Sequence, residues 1–268
     1  MLKKVLALTV LTLILMTSLV SALAESGKLI VGMELAYPPF ETKDENGDPS
    51  GVSVDFAKAF GASIGREVEI QNIAWDGLIP ALQTGMIDMI ISSMTITEER
   101  SQVIDFSVPY ANAYLAILVN ANSGVESMDD LNQAGKKIAV KIGSTGYFFA
   151  MNNLPNAEVI GLADESACVT EVSQGKADAF IYDQLTIYRN QQANPDTTKA
   201  IFVPFQDVEN WGVAVAKGNA ELLDQLNAFI PAFYAQGGFD ELTAKYLADE
   251  KAAFDELGFK WFFDLAAE

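Results

Sequence analysis

Beyond its N-terminal segment, the chain alternates apolar stretches typical of strands with stretches whose apolar residues have helical spacing. A strand is predicted over Leu29–Met33, a helix over residues 52–64 and a strand over residues 67–73. A helix over Trp75–Gln83 and a strand over residues 87–91 follow. This order is typical of βαβ units, which build a mostly parallel sheet with helices on its faces.

The same rhythm starts again near residue 114 and predicts a second α/β unit. Predicted strands lie over residues 114–119, 137–142, 159–160, 178–182, 202–203 and 211–216. Helices are predicted from Ser144, over residues 167–173 and from Ala220 onward, with breaks at Pro231 and Gly237. Two units without an obvious linker suggest two lobes joined by crossovers near residues 111–114 and 208–211. The expected first lobe comprises residues 28–111 and 212–268, and the second comprises residues 112–211, including the crossovers.

The N-terminus has the layout of an export signal. Lys3 and Lys4 precede an apolar run over residues 5–20, and small residues lead up to a cut after Ala24. The alternative is a membrane anchor, but the run is short for a span of about 20 residues. Residues 1–24 are therefore predicted to be a signal peptide. No cysteine lies near the cut to carry a lipid, so we expect a soluble periplasmic protein.

Composition excludes several kinds of function. The chain has no histidine and one cysteine, which excludes Ser-His-Asp catalysis, histidine metal sites and internal disulfides. A net charge of −19 argues against nucleic acid, whose phosphates need basic partners. We expect no catalytic residue, no metal and no cofactor.

Polar residues follow the predicted strands at their carboxyl ends, where open parallel sheets bind ligands. These residues are Tyr37, Ser93, Thr95, Arg100, Ser144, Thr145 and Asp183. Some of them have an ordinary alternative: Arg100 as a solvated helix charge, Asp183 as a helix N-cap, and residues 143–146 as a simple turn. Backbone N–H groups at a helix start near Thr145 would favour an anion.

Six segments with the right order and spacing identify a family resemblance. They are residues 36–41 (AYPPFE), 75–85 (WDGLIPALQTG), 93–100 (SMTITEER), 104–110 (IDFSVPY), 175–179 (GKADA) and 212–219 (GVAVAKGN). From about residue 28 to Leu247 the chain resembles the family 3 extracellular solute-binding proteins of polar amino acid ABC transporters. The resemblance implies a two-lobed periplasmic binding protein fold, a ligand cleft between the lobes, a monomeric state and the permease subunits of an ABC importer as partners.

The resemblance also implies roles for the site residues. Arg100 would clamp the α-carboxylate of an amino acid, since its planar fork matches a carboxylate. Thr95, Ser144 and Thr145 would add donors to that carboxylate. Asp183, helped by Ser93, would hold the α-ammonium, and the aromatic rings of Tyr37 and Trp75 would sandwich the side chain. A zwitterion would give both buried charges a partner, which a sugar or a dicarboxylate would not.

Two further residues bear on which side chain is bound. Glu34 lies where some family members place an acid for a basic or amide side chain, and Lys141 matches a lysine of some glutamine-binding members. Together they could receive an amide, which favours glutamine slightly. Alone, Glu34 favours basic ligands and Lys141 acidic ones. The two could instead pair with each other or face solvent.

An alternative function is cyclohexadienyl dehydratase, an enzyme that reuses this fold. Glu34 or Asp183 would then serve as general acid. A receptor's sensing domain is a third possibility, but it needs a membrane segment. Aromatic residues after Leu247 extend past the usual family end and are expected to pack on a lobe or to contact a partner.

Overall fold

The computed structural model describes residues 27–265, so the predicted signal peptide lies outside the described residues. Strands and helices alternate along the described chain. The strands are β1 Leu29–Met33, β2 Thr42–Lys43, β3 Pro49–Ser50, β4 Val68–Asn72, β5 Met89–Ile90, β6 Ile104–Phe106, β7 Ala111–Ala113, β8 Leu115–Asn120, β9 Lys137–Lys141, β10 Glu158–Leu162, β11 Ala179–Asp183, β12 Thr198–Ile201, β13 Glu209–Trp211 and β14 Ala214–Ala216.

The helices fall between these strands and at the C-terminal end of the described chain. They are α1 Val52–Ser63, α2 Trp75–Gln83, α3 Glu98–Ser101, α4 Thr145–Asn153, α5 Glu165–Ser173, α6 Gln184–Ala193, α7 Ala220–Ala235, α8 Gly238–Tyr246 and α9 Ala248–Leu257. A short 3₁₀ turn covers Asp129–Leu131. Within residues 27–265, none of the helices combines the length and the apolar character needed to cross a bilayer.

Two five-stranded sheets define two lobes. The first has the strand order β4-β1-β5-β14-β6 and the second the order β10-β9-β11-β8-β12. The predicted two-lobed α/β fold with mostly parallel sheets is confirmed, since four of the five strands in each sheet run in one direction and only β14 or β8 runs against them. In each sheet two pairings are parallel and two antiparallel. The reason is topological: β8 and β14 enter their sheets directly from the other lobe, so each runs against the strands that lead toward the cleft.

Between the sheets, β7 and β13 form an antiparallel pair that contains both passages of the chain from lobe to lobe. Ala111 is opposite Trp211, and Ala113 is opposite Glu209. The loop that follows β5 is bonded to the same pair, because the amide of Ile96 donates to the carbonyl of Asn210 at 2.8 Å. This junction therefore brings the polar loop of the first lobe beside the crossover strands.

Three local predictions are wrong. The strand predicted over residues 202–203 lies earlier, as β12. The strand predicted over residues 211–216 is split into β13 and β14. Gly212 lies between them, at a position where a Cβ would come within 2.9 Å of the Ile96 side chain. Pro231 does not end α7, because apolar residues on both sides of it, Ile230 and Phe233, pack on the core of the first lobe and stabilise the helix. The α7 helix ends before Gly237, whose φ of 76° is left-handed.

The aromatic C-terminal segment packs into the core of the first lobe. Phe262 is fully buried, with its ring centroid 5.1 Å from that of Phe40 and 5.3 Å from that of Trp211. The carbonyl of Phe262 accepts a hydrogen bond from the amide of Asn112 in β7. Phe259 reaches the second lobe, where its ring lies 4.8 Å from that of Phe202. The segment thus packs against both crossover strands, β7 and β13.

Candidate ligand-binding site

All ten predicted site residues line one cavity between the lobes. They are Glu34, Tyr37, Trp75, Ser93, Thr95 and Arg100 from the first lobe, and Lys141, Ser144, Thr145 and Asp183 from the second. The cavity is also lined by residues that are not among the predictions: Glu41, Ser92, Ala113, Leu115, Tyr182, Glu209 and Trp211. It lies at the carboxyl ends of β1, β5, β9 and β11, as the strand-end rule predicts.

Arg100 is positioned by the short helix α3, which Thr97 caps by accepting a hydrogen bond from the Arg100 amide. The Arg100 side chain is buried, so it is not a solvated helix charge. Its Nη1 donates to the Thr95 carbonyl at 2.6 Å, and its Nη2 donates across the cleft to the Gly143 carbonyl at 3.1 Å. The other N–H groups of the guanidinium remain available for a ligand.

Burial lowers the pKa of Arg100 to about 10, and the nearby carboxylate of Glu209 opposes that shift. The guanidinium therefore stays charged at neutral pH. A buried charge of this kind is stable only with compensating partners. Two carbonyl oxygens supply part of that compensation, and an anion in the cavity would supply the rest.

Glu209 lies on the crossover strand β13 and bridges the two lobes. Its Oε2 accepts from the hydroxyl of Thr95 and from the hydroxyl of Thr145, each at 2.9 Å. Its Oε1 accepts from Nε2 of Gln206 at 2.7 Å. Burial raises the pKa of Glu209, while the three hydrogen bonds and Arg100 favour its ionised form. Its two threonine donors are the same two hydroxyls that the family resemblance assigns to a ligand carboxylate.

Asp183 forms the junction between β11 and α6. Its Oδ1 accepts from the amides of Leu185 and Thr186 at 2.9 and 3.0 Å, so the N-cap alternative is correct for this oxygen. Its Oδ2 is buried and has no hydrogen-bond partner of normal geometry among the described residues. Burial raises the pKa of Asp183, while Thr186, the hydroxyl of Tyr37 and the amide of Leu185 oppose that shift. One carboxylate oxygen is therefore left to accept a proton donor from the cavity.

Glu41 is a buried acid that the sequence does not single out. Its Oε2 accepts from the hydroxyl of Ser53 at 2.6 Å and from that of Ser93 at 3.1 Å. Burial raises the pKa of Glu41 to about 8, although Ser53, Ser93 and Ser92 oppose the shift. At neutral pH Glu41 is thus largely a neutral carboxylic acid. Ser93, whose φ of 48° is left-handed, directs its hydroxyl proton to Glu41.

Glu34 and Lys141 pair with each other across the cleft. The ammonium of Lys141 donates to Oε2 of Glu34, and both side chains are buried. Oε1 of Glu34 accepts from the amide of Trp75 at 3.2 Å. Lysine has three donors and a carboxylate has several acceptor positions, so the pair retains hydrogen-bonding capacity toward the cavity.

Trp75 and Tyr37 lie on different sides of the cavity. The ring centroid of Trp75 is 5.2 Å from Cζ of Arg100 and 5.7 Å from Nζ of Lys141, within the range of cation–π contacts. Tyr37 stacks on Phe40 at 5.3 Å and meets Tyr182 edge-on at 6.0 Å. Trp75 therefore flanks the two cations, and Tyr37 belongs to an aromatic cluster at the other side.

Ser144 and Thr145 begin α4, and this helix start faces the cavity. The hydroxyl of Ser144 accepts from the amide of Tyr147 at 3.1 Å and so caps the helix. The preceding Gly143 has a φ of 76°, and a Cβ there would lie 3.2 Å from Nε1 of Trp75. Residues 143–146 are thus more than a simple turn, because they combine a close approach of the two lobes with a helix start.

The amino-acid sequence of this chain matches a known protein family. The model of the bacterial extracellular solute-binding proteins, family 3, matches residues 29–249. The chain belongs to this family. Among its relatives, the L-cystine-binding protein TcyJ of Escherichia coli strain K12 is 31% identical over 230 residues, which cover 85% of each chain.

Solved structures of amino acid-binding proteins are similar to this fold. An ancestral arginine-binding protein bound to glutamine has a TM-score of 0.75 and 38% identity, covering 82% of this chain and 98% of the other. The ancestral amino acid-binding protein AncCDT-1, a precursor of cyclohexadienyl dehydratase, has a TM-score of 0.76 and 35% identity, with coverage of 84% and 98%.

Proposed function

We propose that this family 3 protein binds a polar L-amino acid as a zwitterion between its lobes and delivers it to the permease of an ABC importer. The observation that carries the proposal is a pair of buried opposite charges facing one cavity. Arg100 offers unused N–H donors, and Asp183 offers a carboxylate oxygen without a partner. An α-carboxylate and an α-ammonium would give each of these two groups a partner of opposite charge.

Glutamine is the side chain that the paired Glu34 and Lys141 favour. The pair carries no net charge, so a basic or an acidic side chain would have to break it or stay uncompensated. A side-chain amide can donate to Glu34 and accept from Lys141 while the ion pair persists. The glutamine bound in an ancestral arginine-binding protein supports this proposal. Because that protein is named as an arginine-binding protein, arginine is the competing ligand.

The setting of this function is also a proposal. The predicted lobes, residues 28–111 with 212–268 and residues 112–211, would close about β7 and β13, which pair between them. Residues 266–268 lie outside the described residues. After removal of residues 1–24, the protein would act in the periplasm as a monomer and without catalysis.

Dehydration of a cyclohexadienyl acid is the second candidate function. The observation in its favour is Glu41, a carboxylic acid that lines the cavity and is largely protonated at neutral pH. A general acid needs that protonation state. AncCDT-1, whose structure is similar, is a precursor of cyclohexadienyl dehydratase, and this gives the candidate function a precedent. Against it, Asp183 adds a negative charge to a cavity that would have to hold carboxylates.

A thermal-shift screen of the twenty L-amino acids tests the proposal. A ligand present at about 100 times its Kd adds about 2.7 kcal/mol to the free energy of unfolding. We expect a large shift with L-glutamine, and none with glutamine amidated at its α-carboxylate. No shift with any amino acid would contradict the proposal. Incubation with prephenate and arogenate separates the second candidate, since product formation would require catalysis.

A further inference from the structure

The hydroxyls of Thr95 and Thr145 come from different lobes and donate to the same oxygen of Glu209. Both distances are 2.9 Å, and Gln206 fixes the second oxygen of that carboxylate at 2.7 Å. A carboxylate with three donors on it has a defined position and orientation. Glu209 therefore lies at the place where the donors of the two lobes converge.

A threonine hydroxyl has a single proton to donate. While the protons of Thr95 and Thr145 are directed at Glu209, neither hydroxyl can donate to another anion. A ligand carboxylate that uses these two hydroxyls must take their protons from Glu209. It must also approach a group of the same charge in a cavity where burial weakens screening by solvent.

Glu209 and the ligand carboxylate would also share the field of Arg100. No Arg100–Glu209 ion pair within 4.0 Å occurs in the described part of the chain, yet each affects the titration of the other. The guanidinium instead bonds to the carbonyls of Thr95 and Gly143. Arg100 therefore stabilises the charge of Glu209 at a distance, while its hydrogen bonds go to other groups.

We propose that Glu209 is an internal competitor of the ligand carboxylate: in the closed cleft it accepts the protons of Thr95 and Thr145 that the carboxylate would otherwise use, and so weakens carboxylate binding. This inference rests on the proposed function. It assigns Glu209 an affinity-setting role within the binding site. The affinity for an amino acid would thereby be lower than the donors of the closed cleft alone would give.

The test compares Glu209→Gln with the full-length wild-type protein by calorimetry with L-glutamine. The amide is isosteric and keeps one acceptor oxygen for a threonine, but it removes the negative charge. We expect the Kd for L-glutamine to fall about tenfold, because the two threonine protons no longer have to leave a charged acceptor when the ligand carboxylate binds. Asp207→Asn is the matched control, because it removes the same charge from an exposed neighbour on the same segment. That variant should keep the wild-type Kd within twofold.

A second ligand separates competition from a general change in the site. Glutamine amidated at its α-carboxylate lacks the competing group, so Glu209→Gln should not strengthen its binding. An unchanged or weaker affinity of Glu209→Gln for L-glutamine would overturn the inference while wild-type binding upheld the proposed function. An equal gain for both ligands would also overturn it. If neither protein bound any of the twenty L-amino acids, the proposed function would fail and this inference with it.

Discussion

The two charged ends of the cavity are built differently. At the Arg100 end, both carboxylate oxygens of Glu209 have donors, and the bonds run between lobes. At the Asp183 end, one oxygen is held by the α6 amides within the second lobe and the other has no partner in the described structure. Ligand binding at the first end therefore exchanges existing partners, whereas at the second end it fills an open position.

Because of this difference, the two ends should contribute differently to closure of the lobes and to binding of the ligand. The contacts of the Arg100 end exist only when the lobes are together, because Gly143 and Thr145 belong to the second lobe and Thr95 to the first. The α6 cap that holds Asp183 is local and needs no closure. We therefore expect substitutions at the Arg100 end to affect both affinity and closure, and substitutions at the Asp183 end to affect affinity first.

The largest effect is expected from Arg100→Ala. Removing one partner of a buried charge pair costs about 2–5 kcal/mol of binding free energy. Arg100→Lys should also bind weakly, because an ammonium cannot reproduce the planar fork that reaches Thr95, Gly143 and a carboxylate together. Calorimetry with L-glutamine measures both variants.

Arg66→Lys is a suitable control for these variants. Arg66 pairs with Asp88 away from the cavity, so its replacement should leave the affinity unchanged. Near-normal affinity in both Arg100 variants would show that the two ends do not differ as described, and would exclude Arg100 as the carboxylate clamp.

Asp183→Asn should have the next largest effect. Asparagine caps helices about as well as aspartate, so its oxygen can still accept from Leu185 and Thr186. The group facing the cavity, however, becomes a neutral amide. We expect a loss of about 1.5–3 kcal/mol in binding an α-ammonium, with little change in melting temperature. Calorimetry and thermal unfolding together measure this.

Asp183→Ala serves as the comparison, because it removes the cap as well as the charge. It should lower the melting temperature, whereas Asp183→Asn should not. If Asp183→Asn bound L-glutamine as tightly as the wild type, the open oxygen would have no role in recognition and Asp183 would be only an N-cap.

How far the sequence predicts this site depends on where each residue lies. Asp183 ends β11, and Thr145 and Arg100 lie in the segments that follow β9 and β5. Parallel strands bring their carboxyl ends together at one edge of a sheet, so the approach of these residues to the cleft is predictable. Glu41 reaches the cavity through a loop closed by an isolated bridge between Tyr37 and Glu41, and Glu209 through the pairing of β13 with β7. These are tertiary contacts, which strand and helix periodicity does not encode. The sequence also leaves the pairing of Glu34 with Lys141 open, since charge alone does not set their distance.

Ligand-induced closure tests whether the two ends act separately. The radius of gyration from small-angle X-ray scattering should fall when L-glutamine saturates the wild-type protein, because the lobes close about β7 and β13. Asp183→Asn, at a ligand concentration high enough to saturate it, should still close. Arg100→Ala should not close fully, since it lacks the bond to Gly143. An unchanged radius in the wild type with proven binding would argue against closure about this pair.

The smallest effect is expected from the ion pair of Glu34 and Lys141, because it changes the ranking of ligands more than the total affinity. Glu34→Gln frees Lys141 from its partner, so glutamate should gain relative to glutamine and basic ligands should weaken. Lys141→Met should do the reverse and favour arginine or lysine over glutamate, since Glu34 is then left without its cation. Each change should be about 1 kcal/mol, as for a single net hydrogen bond.

Titration of both variants with glutamine, glutamate, arginine and leucine measures the ranking. Leucine should remain the weakest ligand of the wild type, because an aliphatic side chain leaves polar groups of the cavity unpaired. If neither substitution alters the ranking, the pair only ties the lobes together, and the aromatic surfaces of Trp75 and Tyr37 must select the side chain by shape.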